Sequence, residues 1–580
     1  MGIFRLFYFF VFSLAAAPLA AQTVYVDQGA KWTTNLRNQF YIQDQGARIM
    51  PITWMRALTL PDGSAFLGDA LQRYGYLPLP GQGEADLPVG FSTNGEGADM
   101  AVGMTCSACH TRQIEVNGTA YRIDGGPGIV DFQSFLKDLD DAVLAVLADD
   151  AGFAAFAEKV LGGGADPSRV EALKAQVIVW SNRFHTLIER SLPDPAWGPA
   201  RLDAVSMIFN RLTGLDIGEA SDDYLIPDNI AVADAPTRYP FLWNAAKQDF
   251  TQWPGFAKNG NDLLGLARNL GEVYGVFGEF HPQPPKGLFF NRDYISVNSA
   301  NFDGLRALED WIWEIGAPRW PWELDQALAA EGEAIFNLPT ADGGCTECHG
   351  KRPGEWRPPS LRATFATPIK DAGTDRRECQ ILTRVVKTGT MEGAKIPLLG
   401  KALGAEAPAF EVLSTAVIGA IIQRSTSFLG ADRLAEVRRV TGTEDTSDEA
   451  EMLRAFEDLR GAFPIEDQEA GRVADPSACA YEARVLDGIW AAAPYLHNGS
   501  VPTLTELLKK PEDRVTSFEP GPNYDIDAVG MAVEQGRFGH VIQLTGCDDN
   551  ASGNSNCGHP YGTDLSEPQK RALLEYLKSI

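Results

Sequence analysis

The chain is poor in positive charge and in histidine. It has 50 Lys and Arg against 77 Asp and Glu, a net charge of −27, and only 7 His in 580 residues. A nucleic-acid backbone must be neutralised by Lys and Arg, so this balance argues against nucleic acid as a partner. An acidic surface would suit a basic protein partner, but its use in keeping the protein soluble is the simpler explanation.

Long hydrophobic runs are absent from the sequence as well. A membrane-spanning helix needs about 20 predominantly apolar residues, and the runs Leu6–Ala17 and Phe410–Ile422 are both shorter. The first run follows an arginine and precedes small residues, which is typical of a cleaved secretory signal over residues 1–21. An uncleaved N-terminal anchor is the alternative. We expect a periplasmic or secreted protein without an integral membrane span.

Cysteine is scarce, and half of the eight cysteines belong to one repeated pattern. The first copy, CSACH, contains Cys106, Cys109 and His110, and the second, CTECH, contains Cys345, Cys348 and His349. Two thiols at this spacing at the start of a helix can reach the vinyl groups of one haem, and the next histidine can bind its iron. A zinc knuckle would need further ligands nearby, and a thioredoxin-type pair would not repeat the histidine. The pattern predicts two covalent c-type haems.

The other four cysteines predict disulfides, because the expected compartment is oxidising. They are Cys379, Cys479, Cys547 and Cys557, which allow three connectivities. We favour Cys547 with Cys557, across the short loop CDDNASGNSNC, and Cys379 with Cys479 follows by elimination.

The two haem motifs suggest one haem domain in each half of the chain. A chain of 580 residues exceeds one ordinary core. We expect a mainly α fold with long loops, little β structure and two cytochrome-c-like domains, residues 22–321 and 322–580. Leu324, Leu328, Ile335 and Phe336 predict an amphipathic helix before the second motif. Ser566 and Gln569 have the spacing of a capping box for a C-terminal helix, and a further helix is expected to start near Asp131.

The segment YPFLWNAAKQDFTQWPGF is dense in aromatic residues. Trp243, Trp253 and Phe256 could wall a haem pocket or lie along an electron path. Ordinary core packing is the alternative for each of them.

Several stretches together carry a family resemblance. They are the two CxxCH motifs, RIDGGPGIVDF, FLWNAAKQDFTQW, PYLHNGSVPTL and GNSNCGHPYGTDL. With them the chain resembles the di-haem bacterial cytochrome c peroxidases and MauG, and more closely the rubber-oxygenase (RoxA-type) branch. The resemblance implies that the N-terminal haem has an open position for dioxygen or peroxide. It also implies that the C-terminal haem is a six-coordinate electron relay, and that a calcium ion can lie between the domains.

The sixth ligand of the C-terminal haem has several candidates. Outside the motifs these are Met391, tyrosines and His185, His281, His497, His540 and His559. The RoxA-type pattern has a late histidine ligand in its C-terminal domain, which favours His559 in GNSNCGHPYG; His540 and then Met391 are the alternatives. His185 and His281 are expected to be structural or exposed, with the distal side of the first haem as the other option.

His497, in the stretch PYLHNGSVPTL with Tyr495, has a different expected role. In the peroxidase relatives the matching histidine lies near the haem without binding iron. We expect a hydrogen bond toward a propionate or the backbone, a chain reversal at Asn498-Gly499 and a helix starting at Pro502. A purely structural role is the alternative.

The expected function is that of an oxidoreductase acting on dioxygen or peroxide. A RoxA-type enzyme would cleave a hydrophobic polyene in an apolar pocket, whereas a peroxidase would need polar distal groups. No such pair is evident from the sequence, which favours the apolar alternative. The other reactant would be a small or polymeric organic substrate or a redox protein donor. A non-catalytic electron carrier with two six-coordinate irons is the remaining hypothesis.

Overall fold

The computed structural model describes residues 23–81, 87–285, 291–356, 362–396, 401–428 and 479–580. The expected signal at residues 1–21 lies outside these ranges. Within them, no helix is both long enough and apolar enough to cross a membrane.

Helices make up most of the regular structure, which confirms the expected mainly α class with little β structure. In the described ranges they are α1 (Thr34–Ile42), α2 (Ile52–Ala57), α3 (Cys106–Cys109), α4 (Phe132–Leu147), α5 (Asp150–Leu161), α6 (Pro167–Ser191), α7 (Ala204–Phe209), α8 (Asp262–Gly275), α9 (Phe302–Glu314), α10 (Gln326–Phe336), α11 (Thr346–His349), α12 (Arg377–Ile381), α13 (Ala409–Phe428), α14 (Leu504–Leu507) and α15 (Glu567–Ser579). A π-helical segment, Asn210–Asp216, continues α7.

The strands are short, and most form two-stranded pairs. They are β1 (Thr23–Tyr25), β2 (Met50–Pro51), β3 (Phe91–Asn94), β4 (Ala101–Met104), β5 (Thr111–Val116), β6 (Thr119–Asp124), β7 (Arg201–Leu202), β8 (Thr237–Arg238), β9 (Phe250–Thr251), β10 (Ala257–Lys258), β11 (Ile369–Lys370), β12 (Val385–Lys387), β13 (Glu406–Pro408), β14 (Tyr481–Glu482), β15 (Ser517–Phe518), β16 (Tyr524–Asp525), β17 (Gly530–Met531) and β18 (Ile542–Gln543). Three-stranded sheets have the orders β1-β6-β5 and β2-β4-β3.

The hairpin β5–β6 fixes the chain directly after the first haem motif. Its two-residue turn, Asn117-Gly118, has positive φ at both residues, which is the conformation that matches the twist of paired strands. Thr111 begins β5 immediately after His110 and pairs with Asp124. The position of His110 is therefore set by a sheet rather than by a free loop.

The helix pair α10 and α15 does the same for the second motif. Ser566 and Gln569 form the predicted capping box at the start of α15. A side chain at Gly332 would meet the carbonyl oxygen of Ala572 at 1.9 Å, so the two helices pack closely only because this residue is glycine. The predicted helix before the second motif is confirmed, although Leu324 precedes its first residue.

The apolar cores do not follow the expected boundary between residues 321 and 322. One cluster of buried residues contains Trp243 and Ile315 from the N-terminal half together with Trp490 and Leu573 from the C-terminal half. Another joins α8 and α9 to α13. The division into domains 22–321 and 322–580 stays a prediction.

Two local predictions are confirmed and one is wrong. Both expected disulfides are present, Cys379–Cys479 and Cys547–Cys557. Asp131 caps α4 by accepting a hydrogen bond of 3.0 Å from the Ser134 N–H. The helix expected to start at Pro502 instead starts at Leu504, because the hydroxyl of Thr503 accepts from the Glu506 N–H and makes Thr503 the cap.

Candidate functional site

The two motif histidines are oriented in the same way. The imidazole Nδ1 of His110 hydrogen-bonds the carbonyl oxygen of Pro240 at 2.9 Å, and Nδ1 of His349 hydrogen-bonds that of Arg484 at 2.7 Å. A carbonyl only accepts, so both Nδ1 atoms carry the proton and both Nε2 atoms keep a free lone pair. Burial lowers the pKa of both rings, to about 4 for His110. Both imidazoles are thus neutral and able to bind a metal through Nε2.

The four motif cysteines are not joined in disulfides. Burial raises the pKa of Cys106 and Cys109 to about 12 and that of Cys345 to about 11. A redox-active C-x-x-C pair or a reactive thiol needs the opposite shift. The raised pKa values therefore argue against a nucleophilic or redox-active role for these thiols.

His559 faces the histidine of the second motif. The ring centres of His349 and His559 are 6.3 Å apart, with 43° between the ring planes. A metal–imidazole bond is about 2.0 Å long and a ring nitrogen lies about 1.2 Å from its ring centre, so two imidazoles on one iron have centres about 6.4 Å apart. Nδ1 of His559 is buried and has no hydrogen-bond partner among the described residues. The separation therefore fits a shared haem iron, which His349 and His559 would hold together.

The segment that carries His559 is held by a buried arginine and a disulfide. Arg514 donates to the carbonyl oxygens of Asn556, Gly558 and His559 at 2.6–3.1 Å. The disulfide Cys547–Cys557 ends two residues before His559. Burial lowers the pKa of His559 to about 3, so the ring is neutral. The whole arrangement presents a neutral imidazole in a fixed position.

His110 has no equivalent partner in the part of the chain that the structure describes. Its ring neighbour there is Tyr239, edge-on at 6.1 Å. Tyr239 directly precedes Pro240, which binds Nδ1 of the same histidine. The two motifs thus differ: one histidine has an opposing imidazole at the distance of a shared metal, and the other has none.

A carboxyl–amide pair lies near the first motif, and sequence reasoning missed it. Gln252 donates a hydrogen bond of 2.6 Å to Glu272 in α8, and Gln252 has a positive φ of 67°, a strained conformation common at functional sites. Desolvation raises the pKa of Glu272. Burial raises the pKa of Cys106 and Cys109, and the Glu272 carboxylate adds to both shifts. Gln252 and Glu272 are 20 residues apart and belong to no recognisable motif. The feature that distinguishes Gln252 is its positive φ, which a sequence does not reveal.

An ion pair connects α8, the helix that carries Glu272, to α9. Arg268 forms an ion pair with Glu309 and also donates to Asn259 at 2.9 Å. The position of Glu272, one turn along the same helix, is therefore set by a packed ion pair.

His497 is an interior residue of a pinned turn. It is buried and stacks on Tyr481 with ring centres 3.7 Å apart, and burial lowers its pKa to about 3. Its carbonyl oxygen accepts from the Arg238 N–H at 2.9 Å. Tyr495 hydrogen-bonds backbone carbonyls, and its backbone pairs with Val501 across the predicted reversal. The reversal is confirmed, and the part that His497 plays toward a haem stays a prediction.

The remaining candidates lie elsewhere. His540 packs against Gly198, and Met391 is buried in the cluster around α13. His185 pairs with Asp140 at 2.8 Å, and His281 stacks on Tyr224 with ring centres 3.6 Å apart. None of the four has a ring contact with His110 or His349 in the described ranges.

The three aromatic candidates separate into two places. Trp243 is buried and stacks on Phe241 at 4.8 Å, and Trp253 lies beside the disulfide Cys379–Cys479. Phe256 instead packs edge-on against Phe410 at 5.4 Å. Trp253 also donates from its indole N–H to the carbonyl oxygen of Arg238 at 3.2 Å, so both tryptophans contact the segment around Pro240, whereas Phe256 belongs to the core around α13.

Among the described residues, no group of three or more His, Cys, Asp or Glu side chains is arranged to hold a metal ion. The calcium ion implied by the resemblance stays a prediction.

Comparison with known proteins gives one family match. Residues 480–519 match a family model described as RoxA-like, cytochrome c-like. This segment resembles RoxA-like cytochrome c. It contains the turn around His497 and also Arg484, whose carbonyl oxygen accepts a hydrogen bond from His349. The match supports a haem-related role and the RoxA-like branch.

Two relatives from Sinorhizobium fredii are both named as uncharacterized proteins. Protein y4iJ is 27% identical over 636 aligned residues, covering 100% of this chain and 97% of its own. Protein y4iM is 26% identical over 416 residues, covering 68% of this chain and 74% of its own. The alignment with y4iJ extends over the whole chain, so both CxxCH regions of this chain lie within the aligned length.

Proposed function

We propose that the protein is an exported di-haem c-type oxidoreductase that activates dioxygen or peroxide at its N-terminal haem. Cys106 and Cys109 would attach that haem, and His110 would bind its iron. Cys345 and Cys348 would attach the second haem, with His349 and His559 as its two axial ligands. A bound haem supplies the redox and oxygen chemistry, and the chain supplies its binding, orientation and protons.

The observation that carries the proposal is the difference between the two histidines. His349 has His559 opposite it at 6.3 Å, whereas His110 has only the edge-on Tyr239 among the described ring neighbours. A second strong ligand keeps reactants off an iron and suits electron transfer, and an open position suits reaction. The C-terminal haem is therefore the relay, and the N-terminal haem is the reactive one.

The favoured reaction is RoxA-like oxidative cleavage of an apolar substrate such as a polyene. The RoxA-like match at residues 480–519 supports this branch. Oxygen from dioxygen would be incorporated into the cleaved carbon chain, so the products would be carbonyl compounds.

The second candidate, hydrogen-peroxide reduction, is favoured by the pair Gln252–Glu272. Peroxide reduction consumes two protons and two electrons for each molecule. Desolvation raises the pKa of Glu272, so this carboxyl keeps a proton to higher pH than an exposed glutamate. Gln252 holds its Oε1 at 2.6 Å and fixes its direction. A positioned acid of this kind is what a peroxidase site requires.

One experiment with two arms separates the candidates. The purified haem-loaded protein is incubated with polyisoprene under air, and separately with hydrogen peroxide and a reduced small cytochrome as donor. Carbonyl products in the first arm support cleavage, and donor oxidation in the second supports peroxide reduction. Activity in neither arm, with both haems inert to dioxygen, peroxide and carbon monoxide, would leave a plain electron carrier.

A further inference from the structure

The two motif histidines are joined by one hydrogen-bonded link. His110 binds the carbonyl oxygen of Pro240, and His349 binds that of Arg484. The side chain of Arg484 then donates from Nη2 to the carbonyl oxygen of Phe241, at 3.0 Å. Since Phe241 directly follows Pro240, the two imidazoles are connected through the two-residue segment Pro240-Phe241 and a single arginine.

Arg484 is held in place on several sides. It is buried, and Nη2 also donates to Oε1 of Gln248 at 2.7 Å. Its guanidinium carbon lies 4.1 Å from the ring centre of Phe241, within the range of a cation–π contact. Its Nε lies 3.6 Å from Glu482. Because these contacts fix the side chain, a displacement of the Phe241 backbone would move Arg484 as well.

The main chain of Arg484 is equally constrained. Glu482 belongs to β14, which pairs with β11, and its N–H bonds the carbonyl oxygen of Trp253 at 2.9 Å. The Ala483 N–H bonds the carbonyl oxygen of Pro368 at 2.8 Å. The carbonyl that orients His349 is therefore set by a short sheet.

The guanidinium of Arg484 lies on the side of the first motif. It contacts both the carbonyl oxygen and the ring of Phe241, the residue next to Pro240, whose carbonyl oxygen accepts from His110. A nearby cation favours the electron-rich state of a redox centre, because the added electron is attracted to it. Hydrogen bonds to the axial imidazole likewise tune a haem.

We propose that Arg484 is a positioning residue that couples the two haem sites: its carbonyl oxygen accepts from His349, and its guanidinium donates to the carbonyl oxygen of Phe241, next to Pro240. This inference rests on the two-haem arrangement of the proposed function. Arg484 determines how a single electron is distributed between the two haems, and this role does not depend on which substrate is oxidised.

The test is a spectroelectrochemical titration of the full haem-loaded chain, with optical and EPR signals resolving each haem. Removing the charge in Arg484→Met disfavours the reduced N-terminal haem. We expect the sharing of a single electron to shift about tenfold toward the C-terminal haem, which corresponds to about 59 mV. Arg484→Lys keeps the charge and should recover most of the shift.

A second variant distinguishes an electrostatic effect of Arg484 from a folding defect caused by its substitution. Gln248→Glu is nearly isosteric and sets a carboxylate against the guanidinium, so it should shift the electron in the same direction by a smaller factor. Arg238→Lys is the matched control, because Arg238 is also buried over Trp253 but bonds the carbonyls of Leu496 and Ala492. Its electron sharing should equal that of the unaltered protein.

The outcomes separate this inference from the proposed function. If Arg484→Met and Gln248→Glu leave the sharing unchanged, or move only the C-terminal haem, the coupling role is wrong. A chain with one haem instead of two, counted by pyridine haemochrome, also overturns it. If the sharing shifts as expected while neither polyisoprene nor peroxide reacts, the coupling stands and the proposed reaction fails.

Discussion

His349 and His559 face each other with ring centres 6.3 Å apart, although 210 residues separate them. Both rings are neutral because burial lowers their pKa. Two neutral imidazoles at this separation could hold one iron, so this pair supports the proposal that the C-terminal motif carries a relay haem.

His559→Ala should open the iron of the C-terminal haem. Its low-spin signal should become high-spin, and the number of haems that bind carbon monoxide should rise from one to two. His540→Ala is the control, since His540 packs against Gly198 and should leave the spectrum as it was. An unchanged spectrum in His559→Ala would refute the ligand assignment.

Arg514→Gln should loosen the segment that carries His559. The arginine is buried, and its loss leaves the carbonyl oxygens of Asn556, Gly558 and His559 without their donor. Unpaired buried groups cost about 1–3 kcal/mol of unfolding free energy. Urea unfolding should show this loss together with a rise in high-spin haem. Arg537→Gln, on the surface, should do neither; equal effects in both would remove the special role of Arg514.

The disulfide Cys547–Cys557 should stabilise the same segment. It closes a loop with a sequence separation of 10 residues, which is worth about 2–3 kcal/mol in the chain-entropy model. The double substitution Cys547→Ser and Cys557→Ser should lower the urea midpoint and raise the high-spin fraction. A lower midpoint with an unaltered haem spectrum would mean that the disulfide does not position His559.

The pH dependence of peroxide reduction should follow Glu272. Its pKa is raised by desolvation, so the protonated, proton-donating form persists above the usual range of glutamate. Activity should therefore be high below this raised pKa and fall as the pH rises through it. Glu272→Gln should lower kcat roughly 100-fold or more and remove this limb of the profile. Glu279→Gln, which changes an exposed glutamate, should keep both rate and limb, and an unaltered profile in Glu272→Gln would exclude the carboxyl as the acid.

Much of the second site follows from local sequence patterns. The helix before CTECH, the capping box at Ser566 and the disulfide pairing all depend on residue spacing along one stretch. His559 could be selected because histidines are few, this one lies beside a cysteine loop, and the RoxA-type resemblance implies a late histidine ligand. Such signals survive in a sequence because the interacting groups are close in it or rare.

The rest could not be read from the sequence because backbone atoms or distant partners carry it. Pro240 and Arg484 orient the motif histidines through carbonyl oxygens, which every residue has. Gln252 and Glu272 meet through a turn with positive φ and a helix. The start of α14 shifted to Leu504 because the hydroxyl of Thr503 is the stronger cap.

The most direct test of the central claim is a carbon monoxide titration of the fully reduced, haem-loaded protein, followed by optical spectroscopy and compared with the low-temperature EPR of the oxidised state. We expect one of two haems to bind carbon monoxide and the other to give a low-spin signal typical of two histidine ligands. Binding by both haems, or by neither, would contradict it.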